Sequence, residues 1–166
     1  MQPLSQDSLE PIERIADLLS PARSLCRIPG GTKKRLFERV ADVLADEQEG
    51  FHPDELISGM LAREKLGSTA LGGGIAIPHC RLNDCEQPSG VLLTLADSAD
   101  FDAPDEEEVD LLFALVVPSE ATQEHLNLLA DLARLFSQTD FCDALRACES
   151  DQQLYQVATG WADRSA

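Results

Sequence analysis

Apolar positions along the chain recur with two periods, and the alternation between them predicts the order of elements. Leu36, Val40, Val43 and Leu44 fall at i, i+4, i+7 and i+8, one stripe of a helix whose other face carries Lys33, Lys34, Arg35 and Glu38. Thr32, after the Pro29-Gly30-Gly31 break, is placed to cap it. Pro53 suits the first position of a second helix, with Glu55 in its first turn, Leu56, Ile57, Met60 and Leu61 as its buried stripe, and Arg63 near its end. Before these, residues 1–8 read as a loose polar tail, Ile12 to Leu19 as a short helical turn and Ser24 to Ile28 as a short strand.

Three further apolar runs have strand character: Ile75-Ala76-Ile77, Val91 to Leu95, and Val109 to Val117. The last is continuously apolar, as a central strand covered on both faces would be. Four glycines between Gly67 and Gly74 exclude regular structure there and predict a loop or tight turn. The acidic stretch Asp102 to Asp110 predicts an exposed loop. Three helices close the chain. The first, from about Thr122, buries Leu126, Leu129, Leu132 and Phe136; the second holds Phe141 and Leu145; the third opens with Ser150 and Gln153 at capping-box spacing. Helices on both sides of the strands make the expected class α/β: one mixed sheet flanked by helices on both faces. A tail with a short helical turn at 1–17 precedes a single domain at 18–162.

Composition narrows what this fold can do. The 166 residues, 43% hydrophobic, suffice for one compact core. Thirty acidic against 13 basic residues give a formal charge of −17, which repels nucleic acid and anionic lipid. No apolar run reaches the ~20 residues of a membrane span and no signal-peptide pattern is present, so a soluble, cytoplasmic protein is expected. The five cysteines form an odd set without a CxxC pair, consistent with reduced thiols. Against this acidic background Arg63, Lys65 and Arg81 bracket His79, a cluster suited to a small anion.

His79 follows an apolar strand directly after Pro78, whose missing N–H ends sheet pairing, and loops beyond strand ends are where open α/β sheets gather functional groups. From position alone it reads more readily as a structural histidine satisfied at a loop edge. His125 stands one turn into a helix, where the terminal N–H groups favour an anion and a neutral imidazole, or where a histidine merely decorates the surface. Arg63 offers a fork of charge-assisted donors, or is an ordinary helix-end arginine. Ser68 and Thr69 bring hydroxyls beside the glycines, as many turns do. His52, before Pro53, reads as a helix-entry residue. Neither GxxxxGK[ST] nor GxGxxG occurs, so no nucleotide or other cofactor is called for. His79, Cys80, Cys85 and His125 match no common zinc spacing, so no metal is expected. A His79–Cys80 nucleophilic pair is disfavoured because neighbours in extended chain point to opposite faces.

Two stretches, Arg63-Glu64-Lys65-Leu66-Gly67-Ser68-Thr69 and Gly72-Gly73-Gly74-Ile75-Ala76-Ile77-Pro78-His79, carry a resemblance that continues through Val109 to Pro118 and His125-Leu126. They resemble the nitrogen-regulatory enzyme IIA proteins of the bacterial phosphotransferase system, over about residues 18–160; mannitol- and fructose-type IIA domains are similar but more distant. The resemblance implies a phosphorylated histidine at His79, a second active-site histidine at His125 and a phosphoryl-binding arginine at Arg63. It adds the loop groups near Ser68 and Thr69 as further phosphoryl ligands. Cys80 stands where glycine or alanine is frequent, which implies a site open to oxidation.

What the resemblance implies for function is a phosphohistidine relay rather than a multiple-turnover enzyme on small molecules. An HPr-like phosphocarrier supplies the phosphoryl group and the phosphorylation state regulates target proteins such as transporters or sensor kinases. Two alternatives stand beside it: a fructose- or mannitol-specific IIA component passing phosphoryl to a IIB domain, and a regulatory docking module that is never phosphorylated. Carrier docking calls for an exposed apolar rim, for which Leu66, Leu71 and Ile75 are candidates that read equally as core.

Overall fold

A computed structural model describes residues 11–48, 50–83, 85, 87–120 and 123–161; the side chains of 11–14 and 123–126 are outside it. The tail at 1–8, the helix start at Thr122 and the burial of Leu126 therefore lie outside the described residues. Among the described residues six α-helices and six strands form one domain, with five of the strands following one another between the third and fourth helices.

The sheet contains β1 (Ser24–Ile28), β2 (Ala70–Gly72), β3 (Ile75–Ala76), β4 (His79–Leu82), β5 (Ser89–Ala99) and β6 (Val109–Pro118). Its order is β1-β5-β6-β3-β2, with β4 continuing beyond β3 along the same edge of β6. β1 runs parallel to β5, β3 and β4 run parallel to β6, and β5 and β6 are antiparallel, so the sheet is mixed as the sequence predicts. β6 pairs on both sides and is buried from Leu111 to Val117, which explains its unbroken apolar run.

Helices α2 (Lys33–Glu47) and α3 (Pro53–Leu66) cover one face, burying Leu36, Phe37, Val40, Leu56 and Met60 against Leu93, Leu112 and Ala114. Helices α1 (Pro11–Leu18), α4 (Gln123–Phe136), α5 (Thr139–Arg146) and α6 (Asp151–Thr159) cover the other, around Leu92, Phe113, Leu132, Phe136 and Phe141. Successive side chains of β6 point to opposite faces, so Phe113 and Leu115 join the second cluster while Leu112, Ala114 and Val116 join the first. Thr32 caps α2 by accepting from the Arg35 N–H at 3.2 Å, a contact typically worth about 1 kcal/mol.

Three local expectations are corrected. The glycine segment is not all loop: Ala70–Gly72 pairs antiparallel with Ile75–Ala76, and Gly72, Gly73 and Gly74, at φ 94, 67 and 84, make the tight return that L side chains resist. His79 does not lie beyond a strand end. Pro78 interrupts one edge, and His79 opens β4, which resumes pairing with β6 in the register His79↔Leu115. The Pro78 carbonyl still accepts from Leu115 N–H at 2.9 Å, so the missing donor of proline costs the sheet little. At α6, Ser150 caps the Gln153 N–H as the spacing predicts, but the Gln153 side chain accepts from Glu149 N–H instead of closing the reciprocal bond to Ser150.

Candidate functional site

His79 lies on the wall of a cleft of about 500 Å³ formed where β4, at the sheet edge, meets α3 on one side and α4 on the other. Gly59, Ala62, Arg63 and Leu66 line it from α3; His79, Cys80 and Arg81 from β4; Leu115 and Val117 from β6; and Leu129 from α4. The register pairs His79 with Leu115 and Arg81 with Val117, which sets the histidine and a second cation on the same face of one short strand.

Both nitrogens of the half-buried imidazole are engaged. Nδ1 is 2.8 Å from the carbonyl oxygen of Ile77, which can only accept, so Nδ1 carries the proton. Nε2 is then left with its lone pair, and the Arg63 Nε–H donates to it at 3.3 Å. A second guanidinium nitrogen of Arg63 donates to Gly67 O at 3.0 Å, tying the arginine to the loop that follows its own helix. Burial holds the His79 pKa below its ordinary value of 6.5; the Arg63 and Arg81 charges push the same way, while the Ile77 carbonyl and Glu64 oppose them. The imidazole is thus neutral near pH 7, a nucleophile with a defined free nitrogen.

Arg63 and His79 are thus brought together as the sequence expects. Ser68 and Thr69 are beside them in the chain but engaged elsewhere. The Ser68 hydroxyl donates to Phe101 O at 2.5 Å and accepts from Ala70 N–H at 3.1 Å. Buried Thr69 directs its N–H, at 3.2 Å, and its hydroxyl to one carboxylate oxygen of Glu64. Neither residue lines the cleft. His125 falls in the first turn of α4 with its side chain outside the described residues; Leu129, four residues on, makes that helix a wall of the cleft. His52 is the N-cap residue of α3 and faces Glu55 at 3.3 Å on the surface.

Of the rim candidates, Leu66 is 85% and Leu71 46% exposed, whereas Ile75, on β3 beside β6, is buried in the core. The oxidation-prone reading of Cys80 is corrected. Its thiol is packed against α3 and pushed up to about 12, first by burial and then by neighbouring Cys85, which leaves almost no thiolate to oxidise. Sequence reasoning finds no role for Glu64, although it directly follows Arg63. A charged residue at a helix end shows its burial only when its partners, here Lys33 at 2.9 Å and Thr69, are assembled. Among the described residues no three His, Cys, Asp or Glu side chains are grouped to hold a metal ion, and no helix is long and apolar enough to cross a membrane.

The mixed sheet, covered by helices on both faces, thus carries at its edge a cleft in which a neutral histidine meets an arginine. The family described as "Phosphoenolpyruvate-dependent sugar phosphotransferase system, EIIA 2" matches residues 12–159, and the chain belongs to it. Within that family it is similar to the nitrogen regulatory protein of Pseudomonas aeruginosa, 46% identical over 144 residues, covering 87% of this chain and 94% of that protein. The nitrogen regulatory protein of Escherichia coli is 39% identical over 147 residues, covering 88% and 90%. The crystal structure of nitrogen regulatory protein IIA-Ntr from Neisseria meningitidis superposes with a TM-score of 0.81 at 37% identity, over 88% of this chain and 99% of that one. The IIA mannitol protein of Escherichia coli shares the fold, with a TM-score of 0.69 at 18% identity over 84% of this chain and 98% of that one. The resemblance read from the Arg63–Thr69 and Gly72–His79 segments is borne out, as is the mixed-sheet α/β fold.

Proposed function

We propose that this chain, a phosphocarrier of the nitrogen-related phosphotransferase type, accepts its phosphoryl group on Nε2 of His79 from an HPr-like phosphocarrier in the cytoplasm and presents it to regulated target proteins. The observation that carries the assignment is the two-sided hold on the imidazole: Ile77 O fixes the proton on Nδ1, and Arg63 meets the bare Nε2.

Transfer from a phosphohistidine donor exchanges one P–N bond for another, so positioning and charge stabilisation are the work left to the protein. Nε2 attacks phosphorus as the donor's nitrogen leaves, and the proton stays on Nδ1, donated to Ile77 O, while the ring gains positive character. Arg63, already within reach of Nε2, turns its fork of donors to the equatorial oxygens. Arg81 adds charge from the same strand face. His125 is assigned as a second donor to those oxygens because its helix walls the cleft. Ser68 and Thr69, whose hydroxyls are held by Phe101 and Glu64, would serve the phosphoryl group through N–H groups of their loop.

The test is intact-mass analysis of wild type and His79→Ala after incubation with a phosphorylated HPr-like carrier. An acid-labile gain of one phosphoryl group, absent from the variant while its circular dichroism is unchanged, is the expected result. No gain from a donor proven active on another acceptor would sink the assignment.

A further inference from the structure

Glu64 has a side chain only 6% exposed at the C-terminal end of α3, yet it points away from the cleft and touches neither His79 nor the space above it. A carboxylate buried to this degree needs compensation, and it has it on both oxygens. Oε1 pairs with Lys33 at 2.9 Å, and Lys33 also reaches Asp102 at 3.4 Å. Oε2 receives the N–H and the hydroxyl of Thr69. From Thr69 the bonding continues. Its carbonyl accepts the Ile77 N–H at 3.0 Å, and the Ile77 carbonyl accepts Nδ1–H of His79 at 2.8 Å. Two adjacent residues of α3 therefore hold the two nitrogens of one ring. Arg63 reaches Nε2 directly, and Glu64 reaches Nδ1 through Thr69 and Ile77.

We infer that Glu64 is a positioning residue for the phosphoryl acceptor: by anchoring Thr69 it fixes Ile77, and so holds His79 in the tautomer whose bare nitrogen faces the cleft. This rests on His79 as the acceptor but is read out independently of it. A ring free of the Ile77 carbonyl exchanges between its two neutral tautomers and rotates about its side-chain bonds, so the nucleophilic nitrogen is presented for only part of the time. Lys33 pairs with the buried end of Glu64, and the hydroxyl of Thr69 makes the anchor two-pronged, which a lone backbone N–H would not.

The experiment records the ring ¹⁵N shifts of His79, above its titration, in wild type, Glu64→Ala and Glu64→Gln, with the rate of phosphoryl acceptance and the melting temperature of each. Wild type is expected to show a protonated Nδ1 and a bare Nε2. Glu64→Ala should move both shifts toward the average of the two tautomers and slow acceptance by about 10²-fold, the scale of a misplaced reacting atom. Glu64→Gln, whose amide oxygen still accepts from Thr69, should restore the wild-type shifts and most of the rate. Wild-type shifts and rate in Glu64→Ala, or a lowered melting temperature with unmoved shifts, would leave Glu64 a structural residue only and overturn the inference. If Glu64→Ala does not fold, Thr69→Val removes one prong of the anchor and should shift the nitrogens the same way by less; wild-type shifts and rate there overturn it equally. If wild type takes no phosphoryl group at all, the proposed function fails, and the nitrogen shifts still decide whether Glu64 sets the state of His79.

Discussion

The Nε–H of Arg63 donates to Nε2 of His79 at 3.3 Å, so the cation rests on the lone pair of the proposed phosphoryl acceptor. The contact is long for a hydrogen bond and easily exchanged for phosphoryl oxygens. Because a lysine has no planar fork, Arg63→Lys should recover little of what Arg63→Ala loses. Arg63→Ala is expected to slow acceptance by about 10²- to 10³-fold, the range for removing a preorganised donor, with the melting curve unchanged. Quenched-flow transfer from a phosphorylated carrier measures it; a Lys variant at wild-type rate would show that charge alone suffices.

Below pH 6.5 the folded and unfolded chains differ in proton uptake at His79. The unfolded imidazole protonates at its ordinary value, while burial and then the Arg63 and Arg81 charges hold the folded one lower, so the unfolded state binds more protons. Stability and transfer competence should both fall as pH drops from 6.5 through the lower folded value. NMR titration of His79 should give a midpoint under 6.5, and Arg81→Gln should raise it. Melting of His79→Ala should lack this increment of acid sensitivity. A wild-type midpoint above 6.5 would contradict the burial argument.

Leu66 exposes 85% of its surface at the mouth of the cleft, where burying it against a docked carrier gives affinity without touching the chemistry. Leu66→Ser should raise KM for the carrier several-fold, leave kcat within about twofold and leave the melting temperature unchanged. A fall in kcat with KM constant would place Leu66 in the transfer step instead.

Gly30 precedes α2 where the chain passes so near β5 that a Cβ would sit 1.9 Å from Asp97 O. Backbone cannot swing aside as a side chain does. Gly30→Ala should cost about 3 kcal/mol and lower Tm by roughly 10 °C, measured by calorimetry. An unchanged Tm would mean that the β1–α2 connection adapts freely.

The elements were legible because they are local. The i, i+4, i+7, i+8 stripe of α2, the Thr32 cap, Pro53 at the start of α3 and the unbroken apolar run of β6 each show their role within a dozen residues. Errors came where a pairing partner, near or far in sequence, decided the outcome. Four glycines looked incompatible with a strand, but β3 supplied a partner for Ala70–Gly72. Pro78 looked like a strand end, but β6 offered an edge on which β4 could resume.

The site divides the same way. His79 and Arg63 were visible from residue type, neighbouring punctuation and the motif they share. The roles of Glu64 and Ile77, and the engagement of Ser68 and Thr69 away from the cleft, were not. The sequence by itself determined the order of helices and strands, the acidic surface and which side chains have the chemistry to carry a phosphoryl group. Only the tertiary structure decided which nitrogen of His79 is bare, because that depends on a carbonyl two residues back, a strand pairing and a buried carboxylate, and hydrogen-bond direction exists only once those groups are in place.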